Sequence, residues 1–334
     1  MANETLMKVE SLSVKYKTRA GWVSAVDNVD LEIYRGEVLG LVGESGCGKS
    51  TLGKALMRLL PPSSRMSGRL WFMGRDLMTL SEREMRDVRG RQISMVFQDP
   101  MTSLNPVQRV ADHMIETILT HDPTISRQAA RDRAAQLFDR LGISSSRLDD
   151  YPHQLSGGMR QRVMISLALS LNANLIIADE ATTSLDVIVE AQFIELLKEL
   201  RDEFNLTILL ITHNIGLVAE LADRIAVMYA GRMAELADAH SIFKDSLHPY
   251  TEGLLAAVPN IQIEDEEELY KMEGSPPDLV TPPTGCRFHP RCPRVMPVCS
   301  QLEPHFRPAR PDHYVNCWLH EEIPAEHRLE RSVS

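Results

Sequence analysis

No apolar run in this sequence is longer than a β-strand needs. The longest, such as Val38–Val42, Leu175–Ala178 and Leu206–Ile211, fall far short of the roughly 20 residues of a spanning helix, so none is expected to cross a bilayer. The opening residues, MANETLMKVE, have neither the basic start nor the apolar stretch of a secretion signal, and the expected compartment is the cytosol. Positive charge is also short. Lys and Arg number 36 against 46 Asp and Glu, a net charge of −10, which argues against broad electrostatic binding to nucleic acid. Gly (18) and Pro (19) are too few among 334 residues for a collagen-like or low-complexity chain. What remains is 43% hydrophobic, enough to bury one large domain with an appendage or two modest domains. Cysteine is sparse, but four of the five, Cys286, Cys292, Cys299 and Cys317, fall near the C-terminus. Without an export signal, such clustering points to metal before disulfide.

The first hundred residues alternate short β-type runs with turns. Leu12–Tyr16, Val29–Ile33 and Val38–Val42 read as strands, and Lys49–Leu60 as a helix stopped by Pro61-Pro62. After a further strand at Ile93–Gln98 the pattern becomes helical across 107–142, with Val110, Met114, Ile115 and Ile118 and then Ala134, Leu137, Phe138 and Leu141 at helical spacing. Another helix is expected over Gly158–Leu171. The continuous apolar runs Leu175–Ala178 and Leu206–Thr212, separated by a helix at Val187–Phe204, are of the kind buried on both faces of a parallel sheet. Strand–helix–strand alternation around an inserted helical stretch gives an α/β core with a helical subdomain at about 100–165. From about Asn260 an acidic run, Pro-rich turns and the cysteines follow. The chain therefore divides into a domain at 1–259 and an extension at 260–334.

Gly43-Glu44-Ser45-Gly46-Cys47-Gly48-Lys49-Ser50-Thr51 satisfies the spacing G-x-x-x-x-G-K-[ST] after a strand and at the start of a helix. The glycines let successive backbone N–H groups turn inward to bind an anion, and the helix N-terminus adds its dipole. Lys49 is expected to reach the β- and γ-phosphates and Ser50 to bind Mg²⁺. The Cys47 thiol is read as a small filler. Asp179 emerges at the C-terminal end of a buried strand, where α/β sheets place ligand chemistry, and can hold Mg²⁺ directly or through water. Glu180 is placed to polarise an attacking water. His213 ends the next apolar run and is a candidate γ-phosphate contact. Leu155-Ser156-Gly157-Gly158-Met159 forms a second helix start suited to an anion. One nucleotide does not need two such sites from one chain, so this one is expected to close on the nucleotide of another subunit.

The order of phosphate loop, Gln98, Leu155–Met159, Asp179-Glu180, Ser184-Leu185-Asp186 and His213 resembles the ATP-binding cassette (ABC) ATPases over roughly residues 5–255. The resemblance implies a P-loop NTPase (RecA-like) parallel-sheet core with an antiparallel β subdomain and a helical subdomain. By position, Tyr16 looks like the residue that stacks on adenine, and Gln98 like the glutamine that senses Mg²⁺ and the transmembrane partner. Ser156, Gly157 and Gly158 match the signature that meets the opposite subunit's γ-phosphate, Asp186 the aspartate at the dimer seam, and His213 the switch histidine. Met159 and Ala181 depart from the usual glutamine and proline; neither removes a phosphate ligand.

Within that superfamily, Gln98–Pro106, Met159, His248-Pro249-Tyr250-Thr251 and the cysteine-bearing tail are similar to the ATPase subunits of oligopeptide and dipeptide importers. That implies an ATPase peripheral to the cytoplasmic face of the bacterial inner membrane. Its partners would be two separate permease subunits, docking near Gln98 and 101–115, a paralogous or identical ATPase subunit, and an extracytoplasmic substrate-binding protein; nucleic acid is not expected. Related systems import nickel, glutathione or oligosaccharides, and soluble non-transport ABC ATPases are the more distant alternative.

The four tail cysteines lie within 32 residues and are bracketed by Arg287, His289, Arg291 and Arg294. Nearby cations favour the thiolate that metals require. The spacing is not the C-x-x-C…C-x-x-C of a zinc ribbon, but it still leaves room for tetrahedral Zn²⁺ or a four-cysteine iron–sulfur cluster, with free structural thiols as the alternative. Similar tails in peptide-importer ATPases imply a [4Fe-4S] cluster at Cys286, Cys292, Cys299 and Cys317.

Overall fold

A computed structural model describes residues 4–97, 103–181, 187–257 and 272–327. Along the chain, β1 (Thr5–Lys17) and β2 (Trp22–Tyr34) are followed by β3 (Val38–Val42), α1 (Lys49–Leu56), β4 (Arg65–Phe72), β5 (Arg75–Asp76), α2 (Glu82–Val88) and β6 (Ile93–Val96). Helices α3 (Val110–His121), α4 (Arg127–Arg140) and α5 (Gly157–Leu169) then lead to β7 (Leu175–Asp179), α6 (Val187–Phe204) and β8 (Thr207–Ile211). The rest comprises α7 (Ile215–Leu221), β9 (Arg224–Tyr229), β10 (Arg232–Asp238), α8 (Ala239–Asp245), α9 (Pro249–Ala256), α10 (Pro297–Gln301), β11 (Arg307–Arg310) and β12 (His313–Val315). The described chain falls into two compact units. One gathers the described residues of 4–7, 33–38 and 72–211; the other gathers those of 8–32, 39–71 and 212–327.

In the first unit, β6, β7 and β8 run parallel, with Val96 beside Ala178 and Asp179 beside Ile211. Every residue of these three strands is buried, which is why they read as unbroken apolar runs rather than alternating ones. The stretch expected to be helical across 107–142 resolves into α3 and α4, broken where Asp122 caps one and the Ser126 side chain accepts from Ala129 N–H to start the other. Helix α5 packs on α3, α4 and β6.

In the second unit, strands lie in the order β11-β12-β10-β9-β3, antiparallel except for the parallel pair β9/β3. Ala230 and Gly231 join β9 to β10 with φ of 47° and 86°, the two positive angles of a type I′ hairpin turn. Strands β2, β1 and β4 are neighbours in a further sheet. Helix α1 ends at Leu56, four residues before the expected Leu60 and ahead of Pro61. Arg58 turns left-handed (φ 52°), with Arg58 N–H on Ala55 C=O and Leu59 N–H on Lys54 C=O. These two bonds are a Schellman stop, so the proline follows the end of the helix instead of causing it. The boundary expected at 259/260 lies outside the described residues.

Candidate functional site

The phosphate loop follows β3, whose five residues are all buried, and opens α1 at Lys49. Gly43 and Gly48 take φ of 150° and 109°, and a Cβ at either would run into a carbonyl oxygen, that of Met228 or of Ala25. Glycine is therefore required twice, by angle and by space. The loop is braced from outside: Gly231 N–H of the hairpin turn donates to Cys47 C=O at 2.8 Å, and the Cys47 thiol is buried, with its pKa raised by that burial. Lys49, 4% exposed, turns its ammonium back onto the loop, donating to Gly43 C=O at 2.7 Å and Glu44 C=O at 3.1 Å. A cation held this way is available to an arriving phosphate without leaving the loop. Tyr16 donates to Thr51 Oγ1 at 3.4 Å, which sets its ring beside the first turn of α1.

Glu44 is gripped from three sides. Its N–H donates to the Tyr250 hydroxyl oxygen at 2.8 Å, its C=O accepts from Lys49, and its carboxylate takes a bidentate pair from Arg291 at 2.8 and 2.9 Å. The Arg291 side chain is 5% exposed. Burial of the Tyr250 ring drives its hydroxyl pKa far above the ordinary phenol range. Neither Tyr250 nor Arg291 was expected from sequence to touch the loop. The His248–Thr251 segment stood out there only as a likeness, and Arg291 only as a neighbour of cysteines.

In the first unit, Asp179 is the last residue of β7 and is 3% exposed. Glu180 follows in a left-handed conformation (φ 48°), its N–H donating to Ile211 C=O at 2.8 Å. That backbone is costly for a non-glycine residue. Ser156 caps α5, its hydroxyl accepting from Met159 N–H at 3.3 Å. Gly157 is exposed, and nothing lies within 4 Å of where its Cβ would be, so this helix start faces open space. One helical turn on, buried Gln161 donates its amide to Ala181 C=O, tying the Ser-Gly-Gly helix to the residue after Glu180. His213 is exposed, after Thr212, whose N–H donates to Leu41 C=O at 3.2 Å; this puts it on the edge of the second unit where β3 delivers the phosphate loop. Asn214 then caps α7. Gln98 and Asp186 lie outside the described residues.

Residues 26–183 match the family model described as ABC transporter, and residues 234–299 the one described as oligopeptide/dipeptide transporter, C-terminal region. The chain is 46% identical to the dipeptide transport ATP-binding protein DppD of Bacillus subtilis, over 98% of both chains. The chain belongs to the ATP-binding subunits of the oligopeptide/dipeptide ABC transporters. It is 45% identical to the oligopeptide transport ATP-binding protein OppD of Escherichia coli, over 92% of each. Among solved structures, the dimeric ABC cassette MJ0796 in a post-hydrolysis state with ADP and Pi superposes with a TM-score of 0.63 at 27% identity, covering 70% of this chain and 98% of that one. The α/β cassette expected from sequence is thus the fold of this ABC subunit.

The tail cysteines require a correction. Among the described residues no group of three or more His, Cys, Asp and Glu side chains is placed to hold a metal ion, so the expected [4Fe-4S] cluster at Cys286, Cys292, Cys299 and Cys317, and Zn²⁺ as its alternative, are withdrawn. Three of the thiols, those of Cys286, Cys299 and Cys317, serve as apolar filling. Cys317 packs with Leu247 and Val315, and Cys299 with Val298 and Trp318, Cys286 lying against them. Burial raises the Cys286 and Cys317 thiols to about 11 and about 12, and moves Cys292 upward too. The three arginines that were to favour thiolates are engaged elsewhere: Arg287 with Asp27, Arg291 with Glu44, and Arg294 with Glu252.

Proposed function

We propose that this chain is the ATP-hydrolysing subunit of a bacterial importer of di- and oligopeptides, converting ATP and water to ADP and phosphate. The observation that carries the reading is near-full-length identity with a dipeptide transport ATP-binding protein, reaching through the C-terminal region matched at 234–299. In this reading Gly43, Ser45, Gly46, Cys47, Gly48, Lys49, Ser50 and Thr51 bind the triphosphate, and Tyr16 stacks on the adenine. Glu180 is the general base and His213 contacts the γ-phosphate. Ser50, Asp179 and Gln98 are the oxygen donors for Mg²⁺, a hard cation that takes hydroxyl and carboxylate ligands; bound there, it would neutralise charge on the phosphates. Ser156, Gly157, Gly158 and Asp186 complete the site of a facing subunit, in keeping with the exposed start of α5.

No helix among the described residues is long and apolar enough to cross a membrane. The ATPase is peripheral at the cytoplasmic face and works with two permease subunits, a second ATPase and an extracytoplasmic binding protein. The ATPase pair is read as a heterodimer of paralogues, with a homodimer as the second form. Affinity purification from detergent-solubilised membranes tests this: multi-span proteins should co-purify, and recovery of ribosomes or nucleic acid in their place would overturn the reading. In proteoliposomes of the whole complex, di- and oligopeptides should stimulate ATP hydrolysis; stimulation by nickel, glutathione or oligosaccharides alone would reassign the cargo.

A further inference from the structure

An acidic side chain is an odd component for a loop that binds a polyanion. Glu44 is the second residue of the phosphate loop, and a bare carboxylate there would raise the energy of a triphosphate entering the same cradle. Arg291 answers that carboxylate with a bidentate pair, its two terminal nitrogens donating at 2.8 and 2.9 Å. Its guanidinium is locked in place, with Nε donating to Glu273 C=O at 3.0 Å and a second bond to the Tyr229 hydroxyl at 3.3 Å. The planar fork is therefore fully directed before nucleotide arrives, as a bidentate carboxylate pair requires. The same segment supports the loop a second time. Arg287 donates to Ala230 C=O and to Asp27, and the turn it holds is the one whose Gly231 N–H supports Cys47.

We propose that Arg291 is a positioning residue of the nucleotide site: supplied by the C-terminal segment, it cancels the charge of Glu44 so that the phosphate loop accepts a nucleoside triphosphate. The proposal rests on the reading of residues 43–51 as the ATP site. It gives the segment around 285–300 a task in nucleotide affinity, carried through Glu44 and without contact to the nucleotide.

The test is fluorescence titration of the full chain with N-methylanthraniloyl-ATP and Mg²⁺. Arg291→Gln should weaken binding about 5- to 10-fold, the size of one partly screened unit charge a few ångströms away, and the loss should shrink as salt is raised. Glu44→Gln combined with Arg291→Gln should return affinity to within about twofold of the wild type, a rescue that loss of scaffolding would not give. Wild-type affinity in Arg291→Gln overturns the proposal, and so does a double variant as weak as the single one. If Arg291→Gln does not fold, Arg291→Lys decides: retention of the charge should hold affinity within about twofold, and a fivefold loss would overturn it. Lys49→Ala run alongside separates the two readings. Normal binding by that variant removes the ATP site and the proposal together, whereas lost binding there with an unaffected Arg291→Gln removes the proposal alone.

Discussion

In the proposed function, Lys49 and Glu180 have the two roles most open to a direct test. In the loop, the Lys49 ammonium already spans two carbonyl oxygens, so removing it takes away a prepositioned positive charge without opening a gap at the surface. Lys49→Ala should abolish measurable ATP binding in an equilibrium titration, a loss on the order of 2–4 kcal/mol by comparison with other preorganised electrostatic groups. Glu180 sits in a left-handed backbone directly after a buried strand. Glu180→Gln keeps the shape and the hydrogen-bonding capacity but not the basicity. It should bind ATP as the wild type does while steady-state phosphate release falls by at least two orders of magnitude; ordinary turnover would take Glu180 out of the base role.

At the scale of elements, α9 joins the phosphate loop to the C-terminal strands, and its start is sensitive to acid. His248 caps this helix, its Nδ1 accepting the Tyr250 N–H at 3.0 Å. Burial lowers its pKa from 6.5 to about 4. Below pH 6.5 the unfolded chain therefore takes up a proton that the folded chain refuses. Stability from this group is complete above about pH 6.5 and is lost as pH falls toward 4, about 3 kcal/mol in all. Glu235 acts beside it. Burial alone would raise that carboxyl, but hydrogen bonds from His313, Leu247 N–H and His248 N–H outweigh it and leave the pKa lowered. Its contribution is present above the ordinary 4.5 and disappears only at lower pH. The thermal midpoint, followed by circular dichroism, should thus fall from pH 7 to pH 4.5. In His248→Asn, which keeps a good cap without a titrating ring, that slope should flatten; an unchanged slope would clear His248 of the effect.

At the scale of the whole molecule, the exposed helix start at Ser156 and Gly157 and likeness to transport ATP-binding proteins over more than nine-tenths of their length both point to partners outside this chain. Its affinity for membranes should depend on the permeases: in cells lacking them, the protein should leave the membrane fraction and appear in the soluble one after centrifugation. Retention on protein-free liposomes would contradict that.

Local geometry was legible in the residues themselves. The phosphate loop needs glycines at fixed offsets between a buried strand and a helix, so its place could be read from nine consecutive residues, and Asp179 and Glu180 announced themselves at the end of an apolar run. The same was true of the parallel strands, because burial on both faces leaves no alternation. Partnerships across long stretches of chain were not legible. Arg291 and Glu44 are 247 positions apart, and the arginines that seemed in sequence to activate thiols are drawn off by Asp27, Glu44 and Glu252. Sequence alone determined where the glycine-rich loop sits between strand and helix, since backbone angles and side-chain type decide that within a few residues. Tertiary packing decided what each charge neutralises, because electrostatic energy depends on distance in space and burial, and neither follows from distance along the chain.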